Sequence, residues 1–339
     1  MKKILAIIPT KVDGCTYHRI EIPLHHLTGF DLTQVNELDG LSDIQLKEYE
    51  IVWFNRLNGV VNSDLQIQRL NSLGVKYVID FDDLWNLPQD HLLYGSYKYY
   101  DIPGRLLRLA KNADAIFTTH NYLADKLKKH NSKVFVVPNA IDPEQAQWQT
   151  DSKVVKEETV FGWCGGVHHY CDLKLLESSL KLARQNEFNL ALGGYYPSVT
   201  WDNFEQVFSG GDYKNYVRIE GQNVYNYGRL YDFFTTALIP LKSNEFNKCK
   251  SELKMIEAGF KKKAVIVSDI HPYNLIINDS NCLKVSEAQG TNGWFKAMRK
   301  IKESKALQED LALSLYETVK ERNHIKTVNK VREEVFAAL

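Results

Sequence analysis

Twice along this chain, short apolar runs of strand length recur with helical patterns between them. In the first series they fall at 4–8, 51–54, 77–80, 115–118 and 134–137. In the second they fall at 160–163, 190–192, 217–219, 237–239, 264–267 and 282–285. Short runs dominated by apolar residues, with helices between them, belong to strands with covered faces, the condition of a parallel sheet flanked by helices. Helical spacing supplies those covers at 64–73 and 122–129, then at 173–184, 227–234, 251–260, 294–301 and 307–320. The expected class is therefore α/β, with two doubly wound, Rossmann-like domains in tandem. Turn residues at 138–143 and a polar tract through Glu158 read as a linker. Domains are expected at 1–150 and 151–325, with a last helix within 326–339 free to cross back onto the first. Ligands of such sheets gather at the carboxyl ends of the strands, so a site is expected in a cleft between the two edges.

Composition narrows the classes of function. Lysine plus arginine and aspartate plus glutamate both number 42, so no net charge draws the chain to nucleic acid or an anionic membrane. At 44% hydrophobic and 25% charged residues the composition is that of a soluble globular protein. No apolar run approaches the roughly 20 residues that span a bilayer. Met1-Lys2-Lys3 and the run after it look like the start of a signal peptide, but the run is too short and Pro9 follows it. Cysteines 15, 164, 171, 249 and 282 are odd in number and lack paired spacing. Reduced thiols and a cytoplasmic location are the expectation, not a disulfide framework.

The stretch 236–267 carries the most chemistry. An apolar run at 236–241 is followed by a polar loop, then by Leu253, Ile256 and Phe260 at helical spacing and a second strand. Lys250, Lys254, Glu257 and Lys261 fall on the opposite face of that helix. A helix after a strand points its free N–H groups at the carboxyl edge of a parallel sheet. There it can hold a phosphate, with lysines to neutralise it and a carboxylate to accept from a sugar hydroxyl. The same residues also fit Ser251 as a helix cap with a solvated charged face.

The whole string favours the first of these readings. Asn247-Lys-Cys-Lys-Ser251, Leu253-Lys254 and Glu257, then 264–269 and Pro272-Tyr273, resemble the donor-site region of GT-B glycosyltransferases of the family-four type. The resemblance implies that Glu257 binds the ribose of a sugar nucleotide. It also implies that Lys250, Ser251 and Lys254 hold the diphosphate and the sugar. The family's usual first acidic residue, eight positions earlier, is Cys249 here. Gly165-Gly166, His169 and Asp172-Leu173 are similar to the family's first strand–loop–helix of the donor domain. Two glycines between a strand and a helix also let a backbone approach a phosphate. Members commonly carry an arginine–lysine pair in that loop; this chain has neither, so His169 and Lys250 are the expected substitutes. A zinc reading of Cys164, His168, His169 and Cys171 lacks the paired spacing of structural sites. Gly221-Gln-Asn-Val224 matches the place where the nucleotide base rests on backbone groups.

The first half carries looser signals. The loop 11–19 puts Arg19 at a helix start, where it could meet a phosphate or an acidic acceptor, and Tyr17, Arg19 and Pro23 resemble the opening of these enzymes. Asp80-Phe-Asp82 has the form of the metal–diphosphate motif of the GT-A fold, which has one nucleotide domain and does not explain the second strand series. Asp82-Asp83-Leu-Trp is similar instead to the stretch where family-four enzymes meet the transferred sugar, with Asp82 in the place of their histidine. Tyr97 and Tyr99, in the tyrosine-rich stretch 92–100, could stack on an acceptor or pack their own domain. His120 follows a strand and is expected to face the cleft.

The resemblance thus implies a GT-B fold and transfer of a sugar from a UDP- or GDP-sugar, with retention and without metal or further cofactor. Catalysis is assigned to Glu257, Asp82 and His120. The donor falls to Gly165, Gly166, His169, Val224, Lys250, Ser251, Lys254 and Glu257, the acceptor to Arg19, Asp83, Tyr97 and Tyr99. The acceptor is open among a glycan, a lipid-linked glycan, a protein and modified nucleic acid, and membrane association is not indicated. The alternatives are a catalytically inactive GT-B binding module and a nicotinamide oxidoreductase. The second would need a G-x-G-x-x-G between a strand and a helix, which the sequence lacks.

Overall fold

The computed structural model describes residues 1–149, 158–275, 280–290 and 292–339. The boundary expected at 150 and the linker tract at 151–157 lie outside them. The chain divides into two units, one of Met1–Asp142, Cys249–Ser251 and Asn323–Leu339, the other of Pro143–Lys248 and Glu252–Arg322.

In the first unit β1 (Lys2–Ile7), β2 (Phe30–Val35), β3 (Ile51–Asn55), β4 (Lys76–Phe81), β5 (Ala115–Thr118) and β6 (Val134–Val136) form a parallel sheet. Their order is β2-β1-β3-β4-β5-β6. Residues Ile4–Ile7 and all of β3 are buried, as unbroken apolar runs require. Strand β2 was not among the expected strands. It lies at the edge with residues half-buried or exposed, so Asp31, Thr33 and Gln34 are tolerated and no apolar run marks it. With β2 on one side of β1 and β3 on the other, the winding reverses between β1 and β3. The loops leaving those two strands therefore part and open a crevice at the carboxyl edge. The helix Ile325–Ala338 belongs to this unit and buries Phe336 edge-on against Trp53 and Phe117, at centroid distances of 5.3 and 5.4 Å.

The second unit holds β7 (Val160–Cys164), β8 (Asn189–Tyr195), β9 (Tyr216–Glu220), β10 (Thr236–Ile239), β11 (Ala264–Ser268) and β12 (Leu283–Val285). They too are parallel, in the order β12-β11-β10-β7-β8-β9, which places the reversal between β7 and β10. Phe161, Trp163, Leu190, Leu192, Leu238 and Ile266 build its core. The helix Leu253–Phe260 lies so close to Lys305–Arg322 that a Cβ on Gly259 would come within 2.6 Å of Val319.

The longest of the helices not expected are Ile102–Asn112 and Val199–Ser209, among the described residues. The second is rich in aromatic and β-branched residues with low helix propensity, and burial of Trp201, Phe204 and Phe208 overrides that preference. The stretch 227–234, expected as an α-helix, is a 3-10 helix over Tyr227–Phe233. No helix among the described residues is long and apolar enough to cross a membrane.

Candidate functional site

At the β7/β10 reversal of the second unit, the chain leaves β7 through Gly165 and Gly166 and enters a short helical stretch at Val167–His169. A side chain at Gly165 would come 2.6 Å from the Trp163 ring and 2.8 Å from Lys254 Nζ. The loop thus lies directly on Lys254, which donates to the Cys164 carbonyl at 2.7 Å and sits 5.2 Å over the Trp163 ring. Next along the edge, Gly194 takes φ +102°, and a Cβ there would meet the Gly165 carbonyl at 2.5 Å. The wall here is backbone packed on backbone, with Gly165 N donating to the Gly193 carbonyl at 3.3 Å and His169 N to the Gly166 carbonyl at 3.2 Å. His169 Nδ1 donates to Asp172 Oδ2 at 2.9 Å. The other oxygen of Asp172 accepts from Lys242 N and Asn247 Nδ2, at 2.9 and 2.8 Å. One buried carboxylate therefore ties the loop after β7 to the loop after β10.

Glu257 lies on the helix that follows, 2% exposed, and its Oε2 accepts from the Tyr231 hydroxyl at 2.8 Å. Burial pushes the Tyr231 and Tyr227 hydroxyls and the Cys164 thiol up, Cys164 to about 11, so all three stay protonated beside the carboxylate. The face carrying Glu257 and Lys261 is not solvated. Lys261 is fully buried, paired with Asp232 at 2.7 Å and donating to the carbonyls of Gln147 and Gln149. Gln147 in turn donates to the Val224 carbonyl at 3.1 Å, fixing the loop expected to carry the base. The helix starts at Leu253, with Glu252 at its cap position, so Lys250 and Ser251 precede it and Ser251 is not its cap.

Lys250 and Ser251, expected on the donor side, group with the first unit. Lys250 Nζ lies 3.5 Å from Asp83, and Ser251 Oγ accepts from Asn139 Nδ2 at 2.7 Å. His120 fixes the same tripeptide. Its Nε2 donates to the carbonyls of Lys250 and Cys249, at 2.9 and 3.2 Å, while Nδ1 accepts from Leu123 N at the head of the next helix. With both ring nitrogens engaged, His120 holds backbone on two sides.

Around it, at the β1/β3 reversal, Asp82, Asp83, Arg56 and Cys15 converge. Burial opposes the charge on Asp82, but the Arg56 guanidinium and hydrogen bonds from Cys15 and Asn55 hold its carboxyl below the usual range. Burial pushes Asp83 up against the pull of Lys250, and the neighbouring Asp82 adds to the rise. Tyr97 is anchored here, its hydroxyl accepting from Arg56 Nη2 at 2.6 Å, whereas Tyr99 is 82% exposed.

Arg19 is a correction. It is fully buried, with Nε donating to Asp80 Oδ1 at 2.7 Å and Nη1 to the Val137 carbonyl and Asn139 at 2.8 and 3.0 Å. Its fork ties β4 to the segment after β6, and Nη2, which has no partner among the described residues, is itself buried away from any acceptor. Asp80 is as fully buried as its partner. Among the described residues no group of His, Cys, Asp and Glu side chains is arranged to hold a metal ion.

Sequence reasoning missed Arg56, Cys15, Tyr231 and the anchoring role of Asp172. The signal that could have found Arg56 and Cys15 is the strand order, because both follow the strands between which the winding reverses.

No protein-family model matches this chain, and no curated protein matches it. Solved structures do. A glycosyltransferase from Rickettsia africae superimposes with a TM-score of 0.69 at 13% identity, over 99% of this chain and 98% of that one. Sucrose-phosphate synthase from Thermosynechococcus elongatus gives 0.72 at 12% identity, over 100% of both chains. HepE from Anabaena, solved in complex with UDP and glucose, gives 0.74 at 11% identity, again over 100% of both. The fold is that of GT-B glycosyltransferases along the whole chain.

Proposed function

We propose that this protein is a glycosyltransferase that moves a sugar from a nucleotide-sugar donor to a hydroxyl-bearing acceptor, with retention and without a metal ion. One observation carries the reading: a buried carboxylate, Glu257, held by Tyr231 on the helix that opens toward the glycine-walled edge of the second sheet. A buried carboxylate with a directed partner is built to accept from a ligand, and a ribose diol supplies the matching donors. HepE, of the same fold, binds UDP and glucose, which supports a uridine nucleotide here.

The roles follow from the chemistry. The backbone groups of Gly165 and Gly166, with His169 and Lys254, face the diphosphate, whose charge grows as the sugar–phosphate bond breaks. Positive charge and N–H groups already in place stabilise that growth without reorganising. The loop at Val224 takes the base through backbone groups. On the first unit, Asp82 and Asp83 take acceptor or sugar hydroxyls, with Tyr97 and Tyr99 offering ring faces. His120, Lys250 and Ser251 form the scaffold beside them.

A thermal-unfolding panel of UDP, GDP and NADH, followed by turnover of UDP-sugars with and without excess EDTA, tests this. Protection by UDP and turnover that survives EDTA are expected. Protection by NADH alone would move the protein to the oxidoreductases. UDP protection without turnover or donor hydrolysis would make it a binding module. Loss of turnover in EDTA, restored by manganese, would overturn metal independence.

A further inference from the structure

We propose that Arg56 is the specificity-determining residue of the first-unit site, and that the acceptor it selects is a neutral, hydroxyl-rich sugar rather than a phosphate- or carboxylate-bearing one. This rests on the glycosyl-transfer reading above. Arg56 follows β3 and Cys15 follows β1, so both stand at the reversal of winding where α/β sheets take ligands. The backbone at Arg56 has φ +51°, a left-handed conformation that a non-glycine residue adopts only under strain. It is held there by its N–H donating to the Asp80 carbonyl at 3.1 Å. That conformation turns the side chain toward Asp82, Asp83 and Tyr97 instead of along the strand direction.

What the guanidinium does there is informative. Only Nη2 is engaged, by the Tyr97 hydroxyl at 2.6 Å. Although both carboxylates act on its charge, Arg56 makes no ion pair with either among the described residues. A guanidinium fork pairs readily with any carboxylate it can reach. Here the scaffold holds the guanidinium and the two carboxylates out of ion-pair contact while the Tyr97 hydroxyl takes Nη2. A hydroxyl is the group that bridges such a gap, because it donates to a carboxylate and accepts from a guanidinium at once. A vicinal diol does so twice. A phosphate or carboxylate would gain Arg56 but meet Asp82 and Asp83, and like charges brought together out of water repel. The other nearby cation, Lys250, is already paired with Asp83. The ring of Tyr97, fixed by its bond to Arg56, adds the apolar face that a sugar ring packs on.

The test is ligand-observed saturation-transfer NMR on the full chain with UDP present. The probes are lactose, cellobiose and maltose against glucose 6-phosphate and glucuronate. Saturation transfer to at least one neutral disaccharide and none to the two anions is expected. Arg56→Ala should weaken that binding at least tenfold. Arg56→Lys should not restore it, since an ammonium lacks the fork, and melting curves of both variants show that they fold. Anions binding as well as the neutral sugars, no neutral sugar binding, or undiminished binding in Arg56→Ala each overturn the proposal. Loss of UDP protection in the same samples would instead count against the glycosyl-transfer reading.

Discussion

Asp172 holds the ring of His169 by its Nδ1, 2.9 Å from one carboxylate oxygen, while the other oxygen receives Lys242 N and Asn247 Nδ2. The side chain meant to substitute for a diphosphate-binding arginine is thus oriented by a carboxylate that is 4% exposed and satisfied from three sides. Asp172→Asn keeps the size but turns one acceptor into a donor facing other donors. We expect it to weaken UDP binding by about 1–2 kcal/mol, or five- to thirtyfold, through a misdirected His169. Titration calorimetry with UDP checks this. His169→Ala in the Asp172→Asn background should then add little, and a fully additive second loss would show that the two residues act separately.

Glu257 and Tyr231 make a graded pair. Glu257→Gln should fold and lose about 1.5–3 kcal/mol of UDP affinity, the size of a lost hydrogen bond to a charged group. Tyr231→Phe leaves the carboxylate in place without its donor, so a smaller loss in UDP affinity and a lowered melting temperature are expected. Donor kinetics of Glu257→Gln that match wild type would remove Glu257 from the donor site.

How much of this was legible in the sequence follows from which strands are apolar. The inner strands of each sheet announce themselves because both of their faces are covered, and the edge strands β6, β9 and β12 because they still carry short, mostly apolar runs. The glycines after β7 and the helix carrying Glu257 could then be placed at a strand end from spacing alone. Edge strand β2 could not, since a half-exposed strand needs no apolar run. Without β2 the strand order of the first sheet stays open, and so does the point where its winding reverses. Arg56, in an unremarkable Asn-Arg-Leu-Asn-Gly loop, was invisible for that reason. Arg19 failed differently: a helix-start arginine reads the same whether it meets a ligand or a buried carboxylate, and only burial separates the two.

The Arg19–Asp80 pair predicts a pH-dependent stability. Burial raises the Asp80 carboxyl although Arg19 pulls it down. Arg19→Met removes that pull and its hydrogen bond and leaves Arg332 as the remaining cation acting on the buried carboxylate, a loss of up to about 3–5 kcal/mol at pH 7. A carboxyl whose folded pKa is raised binds its proton more tightly folded than unfolded. Its stability contribution therefore falls as pH rises above the unfolded value and recovers as pH falls toward it. The deficit of Arg19→Met should accordingly shrink between pH 7.5 and pH 5. Denaturant midpoints of both proteins at the two pH values measure it, and a deficit that grows on acidification would contradict the buried-pair account.

Tyr97 and Tyr99 separate the packing and binding readings of the tyrosine-rich segment. Tyr99 is 82% exposed, so packing gives no reason for Tyr99→Ala to alter the melting temperature. Tyr97 is half-buried and its hydroxyl holds Arg56, so Tyr97→Phe should release the guanidinium toward Asp82 and Asp83. A guanidinium that closes onto a carboxylate no longer leaves room for a hydroxyl between them. Tyr97→Phe should therefore raise the acceptor KM about tenfold, the effect of one lost directed contact, with the donor KM as internal control. Combining Tyr97→Ala with Tyr99→Ala should raise it further by removing both ring faces. If the segment only packed its own unit, the double variant would melt earlier with an unchanged acceptor KM. Steady-state kinetics with each substrate varied in turn, run beside melting curves, tell the two apart, and an unchanged acceptor KM in a stable double variant would place the acceptor elsewhere.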